Sequence, residues 1–463
     1  MDPIRLLYID LFCGAGGTST GVNTACIDGS PCAEVIACVN HDAQAIASHA
    51  ANHPRALHFT EDIRTLELQP LRDHVARCRA QHPDALLVLW ASLECTNFSK
   101  AKGGLPRDAD SRTLAEHLFR YIEALDPDYI QIENVEEFMS WGDMDAAGKP
   151  ISRDRGKCYL RWVNRVQRYG YHFDYRILNA ADYGAYTTRK RFFGIFAKED
   201  LPIVFPEPTH SKQGSRSLFE SLARWKPVRE VLDLSDEGVS IFERKKPLAE
   251  ATLERIYAGL LKFVTGGEDR FLVKYNSMSQ SRRYNAPSLQ DPCPVVATQN
   301  RLGIAKVCFL SKQFSGHPSS KNLSAEGPAG TITCKDHHAV VTVRFIGRKD
   351  GHSADHAAGS PFQPQEGWAR EAPLVWTVLE TDSPMTVRIK QFMKLHGIQD
   401  IKMRMLHIPE LKRIMGFPEN YVLVGTQADQ RKFIGNAVEV HMARALCEAI
   451  CLRLLQTRFR QVS

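Results

Sequence analysis

A single cysteine follows a strongly apolar stretch of the chain, and its neighbours suit a reactive thiol. Cys95 comes shortly after the predicted buried strand 86–91, in a loop that also contains Gly, Ser and Lys residues. Lys100 and Lys102 are close enough in sequence to favour the thiolate, the nucleophilic form of cysteine. Most loop cysteines are inert, so this segment alone leaves both a nucleophile and an ordinary loop residue open.

Two further segments place charged side chains beside predicted strands. Glu133 ends the strand 129–133, where an acidic residue either begins a helix or acts as a catalytic acid. Arg189 and Arg191 precede another strand, and side chains at i and i+2 of an extended segment point the same way. We therefore predict that the two guanidinium groups grip one phosphate or carboxylate together.

The first predicted strand runs into a glycine-rich turn. Residues 10–17 read DLFCGAGG. Glycines let a ligand approach the backbone and a helix N-terminus favours negative charge, so the turn indicates a nucleotide-type site. The chain lacks the GK[ST] of a P-loop and the GxGxxG of a dinucleotide fingerprint here. An ordinary strand-to-helix turn is the alternative for this segment alone.

The elements that must hold these residues alternate along the first 200 residues. Apolar runs predict buried parallel strands, and helical spacing at 42–51 and 113–125 lies between them. The predicted strands are 6–12, 34–39, 86–91, 129–133, 175–178 and 192–197. This alternation predicts a doubly wound, mostly parallel α/β sheet that binds ligands beyond the carboxyl ends of its strands.

The middle of the chain differs from the first 200 residues in composition and in hydrophobic pattern. Pro and Gly become frequent after residue 202, and the alternation fades until helical spacing returns at 409–415 and 439–455. Residues 291–304 resemble residues 327–340 at an offset of 36, and each reads as strand, polar turn and strand. We interpret them as paired hairpins in a smaller, mostly β domain, with chance similarity as the alternative.

The net charge of +6 is unevenly distributed. Residues 1–200 carry a net −4, whereas residues 201–400 and 401–463 carry +5 each. The excess is sharpest in residues 270–349, which contain 12 basic and 3 acidic side chains. A basic stretch beside an acidic module indicates a polyanion partner, and a solvated basic surface is the alternative.

Composition argues against several classes of protein. Hydrophobic residues make up 43% and charged residues 24%, the balance of a globular chain. No run approaches ~18 apolar residues and the N-terminus lacks a signal-peptide pattern, so we expect neither membrane insertion nor export. The 12 cysteines include no CxxC pair, which argues against a zinc ribbon and a disulfide framework. We therefore expect a reducing compartment and no metal site.

Taken together and in order, these motifs resemble those of the cytosine-C5 DNA methyltransferases. The matching segments are DLFCGAGG at 10–17, FSxAxGG at 98–104, ENV at 133–135, RxRxF at 189–193, MGFP at 415–418 and GNAV at 435–438. The resemblance covers residues 4–200 and 402–450. Residues 93–96 read LECT where the family usually has Pro-Pro-Cys-Gln, and Glu94 adds a negative charge beside the thiol.

The resemblance implies three segments and a cofactor. We expect a catalytic domain at 1–204 that binds S-adenosyl-L-methionine, with the α/β fold of methyltransferases that use this cofactor. A smaller, mostly β target-recognition domain is expected at 205–401, and a C-terminal segment at 402–463 returns to the catalytic domain. The basic insertion suits the reading of the DNA major groove.

The resemblance also implies a role for each motif. Cys95 attacks C6 of cytosine and makes C5 nucleophilic, Glu133 hydrogen-bonds N3, and Arg189 or Arg191 orients the ring and the carboxylate. The base must leave the duplex, so we expect a loop at 92–112 to close over it. The expected cofactor-binding residues are Asp10, Phe12, Gly14, Gly16, Asn40, Asp62 and Asn436. The expected DNA contacts are Ser99, Arg301 and Lys335.

Two other functions stay open at this stage. The same chemistry could act on a structured RNA such as tRNA, or the chain could be a catalytically silent DNA-binding relative. Retention of Cys95, Glu133 and Arg191 argues against the silent form. We expect a monomer that acts on double-stranded DNA without a membrane, in the cytoplasm of a prokaryotic cell or a phage-infected host. A cognate restriction endonuclease would act separately.

Overall fold

A seven-stranded sheet forms the centre of the protein in the computed structural model. The structure describes residues 4–93, 114–143, 155–215, 221–264, 270–274, 299–300, 302–306, 309–312, 322–324, 336–345, 377–396 and 398–462. We number the strands of this sheet β1 to β7 in chain order. They are β1 (Leu6–Leu11), β2 (Ala33–Val39), β3 (Leu57–Phe59), β4 (Leu86–Ser92), β5 (Tyr129–Asn134), β6 (Tyr171–Asn179) and β7 (Lys190–Lys198).

The sheet is doubly wound and mostly parallel, as predicted. Its order is β3-β2-β1-β4-β5-β7-β6. The pairs β1–β2, β1–β4, β2–β3 and β4–β5 are parallel, whereas β7 runs antiparallel to both β5 and β6. The strand order reverses between β1 and β4, and the carboxyl ends of the parallel strands meet at one edge. Ligands of open α/β sheets bind at such a switch point.

Helices cover both faces of this sheet. The described α-helices are α1 (Gly17–Asn23), α2 (Ala43–Asn52), α3 (Gln69–Gln81), α4 (Leu118–Leu125), α5 (Lys157–Gln167), α6 (Glu250–Gly259), α7 (Pro384–Leu395), α8 (Ile408–Ile414), α9 (Gln427–Asn436) and α10 (Val440–Val462). Apolar side chains of α3, α4 and α5 pack with Leu7 and Ile9 on one face, and those of α1 and α10 pack with Leu6 and Tyr8 on the other. Burial on both faces explains why the strands read as continuous apolar runs. Within the described part of the chain, no helix combines the length and apolarity needed to span a membrane.

The first and last helices approach each other more closely than side chains normally allow. A Cβ added at Gly21 would lie 2.5 Å from the Val440 carbonyl oxygen and 2.7 Å from the Ala443 Cβ. A Cβ added at Gly17 would lie 3.0 Å from the Ala437 Cβ. Two glycines four residues apart on α1 therefore let the C-terminal part of the chain complete the core beneath β1.

We expect Gly21→Ala to lower the free energy of unfolding by about 1–3 kcal/mol, because overpacking forces backbone shifts. In an exposed helix interior the same exchange would instead stabilise the protein, by up to about 1 kcal/mol. Urea unfolding measures the difference. Arg77→Ala, on the exposed face of α3, is the control and should change the free energy by less than about 0.5 kcal/mol. Unchanged or increased stability of Gly21→Ala would contradict the close helix contact.

A second sheet of eight strands combines central and C-terminal residues. Its strands are Val239–Ser240, Arg270–Lys274, Gln299–Asn300, Leu302–Lys306, Phe309–Lys312, Asn322–Ser324, Asp336–Phe345 and Ile398–Met405. Leu302 pairs with His338 and Ile304 pairs with Val340, in parallel. These pairs join equivalent positions of the two sequence repeats, so the last strand of each repeat lies beside its counterpart. The preceding strand of each predicted hairpin lies outside the described residues.

Candidate active site and cofactor turn

The turn between β1 and α1 has a backbone that favours glycine. Phe12, Gly14 and Gly16 have φ values of 60°, 53° and 98°, all in the left-handed region. A Cβ on Gly16 would lie 2.5 Å from the Tyr421 hydroxyl oxygen, so a larger residue does not fit. Around a Cβ built on Gly14, the described residues place no atom within 4 Å. A ligand can therefore approach the backbone at Gly14.

Asp10 lies below this turn and is fully buried. Its Oδ2 accepts a hydrogen bond from Ser19 Oγ, at 2.7 Å. Burial raises the pKa of Asp10 to about 8, and the hydrogen bond from Ser19 opposes that rise. Because the side chain has no exposed surface, any influence of Asp10 on a ligand passes through Ser19 and α1.

Asn40 and Asp62 follow β2 and β3 at the same edge of the sheet. The Asn40 Oδ1 accepts a hydrogen bond from the Asp42 amide at 2.9 Å. Arg64 Nε lies 3.0 Å from Asp62 Oδ1, and this hydrogen bond lowers the pKa of Asp62. Arg120 donates to three main-chain carbonyls of the loop that contains Asp62, at 3.0, 2.6 and 2.5 Å. Both polar side chains are therefore fixed close to the carboxyl ends of β2 and β3.

Glu133 and Arg191 form an ion pair at the carboxyl end of β5. Arg191 Nε lies 3.2 Å from Glu133 Oε1, and only 15% and 7% of the two side chains are exposed. Glu133 pairs with Ser92 of β4 on one side and with Phe193 of β7 on the other. The guanidinium group balances the charge of the carboxylate, which would be costly to bury alone, and orients it. The resemblance left open whether Arg189 or Arg191 orients this carboxylate, and the contact is made by Arg191.

Asn134 holds the beginning of the loop that carries Cys95. The Asn134 Nδ2 donates to the Leu93 carbonyl at 3.2 Å, and its Oδ1 accepts from the Val135 amide at 2.8 Å. Leu93 is the last described residue before Cys95, so the loop leaves the sheet next to Glu133. Cys95 and Ser99 themselves lie outside the described residues.

Arg189 has a different partner from Arg191. It is 5% exposed, and its Nη1 donates to the Gly435 carbonyl at 3.2 Å. The contact joins the residue before β7 to the last turn of α9, and Asn436 next to Gly435 is exposed. Arg191 therefore contacts a carboxylate of the sheet and Arg189 contacts the C-terminal segment, and their shared binding of one phosphate or carboxylate stays a prediction.

The site thus has two parts at one edge of the sheet. One is the open glycine-rich turn, and the other is an oriented carboxylate beside the start of a cysteine-containing loop. In its protonated form this carboxyl group can donate a hydrogen bond to a ring nitrogen, which would favour nucleophilic addition to the ring. Sequence reasoning did not assign roles to Ser19, Arg64 or Asn134. Arg64 and Asn134 stand next to named residues, whereas Ser19 is nine residues from its partner Asp10 and had no local signal. Arg301 and Lys335, predicted to contact DNA, lie outside the described residues.

Comparisons with known proteins agree with this geometry. The family model of the C-5 cytosine-specific DNA methylases matches residues 6–451. The Type II methyltransferase M.AgeI of Thalassovita gelatinovora is 25% identical over 466 residues, which cover 96% of this chain and 98% of that protein. The Type II methyltransferase M.SacI of Streptomyces achromogenes is 21% identical over 97% of this chain and 94% of its own length. Both matches include the middle of the chain as well as the ordered motifs.

A third relative matches only part of the chain. The Type II methyltransferase M.XorII of Xanthomonas oryzae pv. oryzae is 30% identical over 209 residues, 44% of this chain and 44% of that protein.

Proposed function

The chain belongs to the C-5 cytosine-specific DNA methylase family and is a DNA cytosine-5-methyltransferase, and we propose that it acts through covalent addition of Cys95 to a flipped-out cytosine in duplex DNA. S-adenosyl-L-methionine is the proposed methyl donor. The observation that carries the proposal is the buried Glu133–Arg191 pair. It lies beside Leu93, where the loop that carries Cys95 begins.

The glycine-rich turn suits this cofactor. The open space at Gly14 and the left-handed backbone at Phe12 and Gly16 allow close approach of a ligand. Asn40 and Asp62 offer a side-chain amide and a carboxylate at the ends of the next strands, where ribose hydroxyls and adenine can be hydrogen-bonded. Asp10 would support the turn through Ser19, and Asn436 would approach from the C-terminal segment. When bound, S-adenosyl-L-methionine supplies a methyl group activated by its positively charged sulfur.

The protein side chains prepare the base for that methyl group. C5 of cytosine is a weak nucleophile until the Cys95 thiolate forms a bond to C6 and pushes electron density towards C5 and N3. The Glu133 carboxyl group hydrogen-bonds N3 and stabilises this addition, and Arg191 holds Glu133 in place. Arg189 would support the same region by fixing the turn at 435–438. After transfer, loss of the C5 proton expels the thiolate and restores the aromatic ring.

A base inside the duplex cannot reach this edge of the sheet. The proposal therefore includes rotation of the cytosine out of the stack, which costs a few kcal/mol. The chain after Ser92 would close over the base, with Ser99 on the DNA side. Residues 205–401 would recognise the target sequence, and residues 402–463 would complete the catalytic domain. We propose a monomer that works in the cytoplasm of a prokaryotic cell or phage-infected host, with any restriction endonuclease acting separately.

Bisulfite sequencing of DNA from cells that express the protein tests the function. We expect protected cytosines within one short recurring sequence, and none in cells that express Cys95→Ser. Purified protein should transfer labelled methyl groups from S-adenosyl-L-methionine to duplex DNA. Labelling of tRNA in preference to duplex DNA would support the RNA alternative. Binding to DNA with no labelling of either would support the silent alternative.

The proposed separation of DNA contact from cofactor binding gives a separate prediction. Residues 270–349 carry 12 basic and 3 acidic residues, so we expect Arg301 and Lys335 to contact DNA. A lost phosphate contact should weaken binding to all sequences and reduce the salt slope by roughly one unit. A lost base contact should cost about 1–3 kcal/mol at one position of the recognition sequence.

The measurement is DNA affinity against salt concentration for Arg301→Ala and Lys335→Ala, with cofactor affinity measured in parallel. Arg77→Ala, on the exposed surface of α3, is the control and should bind DNA as the native protein does. Unchanged DNA binding in both test variants, or weakened cofactor binding in either, would place the recognition surface elsewhere.

A further inference from the structure

Two cysteines and two histidines converge beneath the glycine-rich turn. Cys13, Cys38 and His49 each offer a ligand atom within 4.8 Å of the others. Cys38 Sγ lies 3.6 Å from His49 Nδ1, and His58 Nε2 lies 2.9 Å from the same nitrogen. The Cys38 thiol also contacts Cys13 and His58. We propose that Cys13, Cys38, His49 and His58 bind one Zn²⁺ ion.

Each of the four residues comes from a different element, so the fold assembles the cluster. Cys13 lies in the turn after β1, Cys38 in β2, His49 in α2 and His58 in β3. Cys13 is 7% exposed, and Cys38 and His49 have no exposed surface. Water has little access to such a cluster, which is typical of a closed structural metal site rather than a catalytic one.

The donor set and its spacing suit Zn²⁺. Zinc is held tetrahedrally by thiolate sulfur at about 2.3 Å and imidazole nitrogen at about 2.0–2.1 Å, so ligand atoms stand roughly 3.3–3.8 Å apart. The Cys38–His49 distance of 3.6 Å falls in this range, and the two histidine nitrogens need to separate by only a few tenths of an ångström. Two thiolates also balance the double charge of the ion, so the buried site would be neutral overall.

The surroundings of His49 favour the tautomer that a metal needs. Ser19 Oγ donates to Asp10 Oδ2 at 2.7 Å, and His49 Nε2 lies 2.8 Å from the same Ser19 oxygen. With the Ser19 hydroxyl proton directed at Asp10, the proton on His49 is at Nε2, and the Nδ1 lone pair faces Cys38 and His58. Metal-binding histidines are commonly held by such outer partners.

A second cluster of thiols is less suitable. Cys32, Cys447 and Cys451 also lie within 4.8 Å of one another and are buried. These three residues offer thiols alone. The cluster beneath the turn combines two thiols with an imidazole, and His58 also contacts two of its members, Cys38 and His49.

An ion in the proposed site would hold the glycine-rich turn between β1 and α1 in place. Cys13 stands between Phe12 and Gly14, the residues with left-handed backbone. Coordination would tie this position to β2, α2 and β3 at once. The ion would then hold the turn without any part in the chemistry of the base.

The test uses full-length protein, purified with a reductant, stripped with a chelator and titrated with Co²⁺. We expect one Co²⁺ per chain, with the visible absorption of a tetrahedral site and a thiolate charge-transfer band, displaced by one Zn²⁺. Cys38→Ser and His58→Gln should each weaken binding at least 10-fold. Ser19→Ala should weaken it by about 10- to 100-fold, because it removes the outer partner of His49.

Two control variants locate the ion. Cys78→Ser alters a thiol that lies 3.5 Å from His74 Nε2 but joins no group of three metal-ligating side chains among the described residues, and its Co²⁺ affinity should equal that of the native protein. Cys447→Ser should also leave binding intact. Folding of every variant is checked by circular dichroism. If a ligand variant does not fold, the Co²⁺ spectrum of the native protein alone tests the proposal. A folded, fully reduced native protein that binds no Co²⁺ would overturn the proposal. So would binding that survives both ligand substitutions, or binding that Cys447→Ser abolishes.

Discussion

Cys95→Ser is expected to lower methyl transfer to duplex DNA by at least ~10³-fold while leaving affinity for S-adenosyl-L-methionine unchanged. A serine hydroxyl is far less nucleophilic than a thiolate at neutral pH, and removal of a covalent nucleophile eliminates nearly all turnover. A duplex with 5-fluorocytosine at the target should form a covalent complex with the native protein. The fluorine replaces the C5 proton whose loss would release Cys95. Denaturing gel electrophoresis and mass spectrometry detect the complex.

The matched control is Cys26→Ser, which changes a free thiol distant from the catalytic edge. It should turn over and trap the fluorinated duplex as the native protein does. An adduct formed by Cys95→Ser, or an active native enzyme that forms none, would refute Cys95 as the nucleophile.

Glu133→Gln is the second large effect that we expect, with kcat reduced by about 10²–10⁴-fold and little change in KM for DNA. The amide keeps the shape of the carboxyl group but loses its acid–base chemistry, and it leaves Arg191 without its counter-charge. Arg191→Lys should cause a smaller loss, because lysine keeps the charge but lacks the planar guanidinium group that orients the carboxylate. Single-turnover rates with preformed cofactor complexes separate the chemical step from DNA binding.

An exposed ion pair provides the matched control for this prediction. Asp174 and Arg176 on β6 pair at 2.8 Å, with 54% and 44% of the arginine and aspartate side chains exposed. Asp174→Asn should change stability by less than about 1 kcal/mol and leave kcat unaltered. Equal effects of Asp174→Asn and Glu133→Gln on kcat would show that Glu133 has no special role, and unchanged kcat in Glu133→Gln would exclude it from the chemistry.

The strands that build the site were predictable because their signal is local. The run 86–91 predicted β4, which ends one residue later, at Ser92, and 129–133 predicted β5 in the same way. Strands buried on both faces need apolar residues at every position, and few other elements do. β3 was missed because it contains three residues with one histidine among them. α3 was missed because it buries only Leu71 and Val75, too few for an apolar stripe.

Long-range contacts of the site were harder to predict. The family resemblance implied that Arg189 or Arg191 orients Glu133, but the sequence could not say which of the two makes the contact. The hydrogen bond from Arg189 to Gly435 spans 246 positions, and no local pattern indicates which of two similar arginines makes it. The network of Asp10, Ser19 and His49 was also missed, because each member is an ordinary polar residue until the fold buries them together.

The close contact between α1 and α10 has a consequence for the order in which the protein is made. The strands β1 and β4 are translated several hundred residues before α10, which covers Tyr8 and Trp90 on one face of the sheet. Until α10 is made, the nascent chain therefore presents an uncovered apolar surface, the kind of surface that chaperones bind and that promotes aggregation. Completion of the core must also close a loop of about 400 residues, which slows folding more than it reduces stability. The same arrangement means that the chain can be divided before α10 into two fragments. We expect these fragments to complete the shared apolar core only when they bind each other.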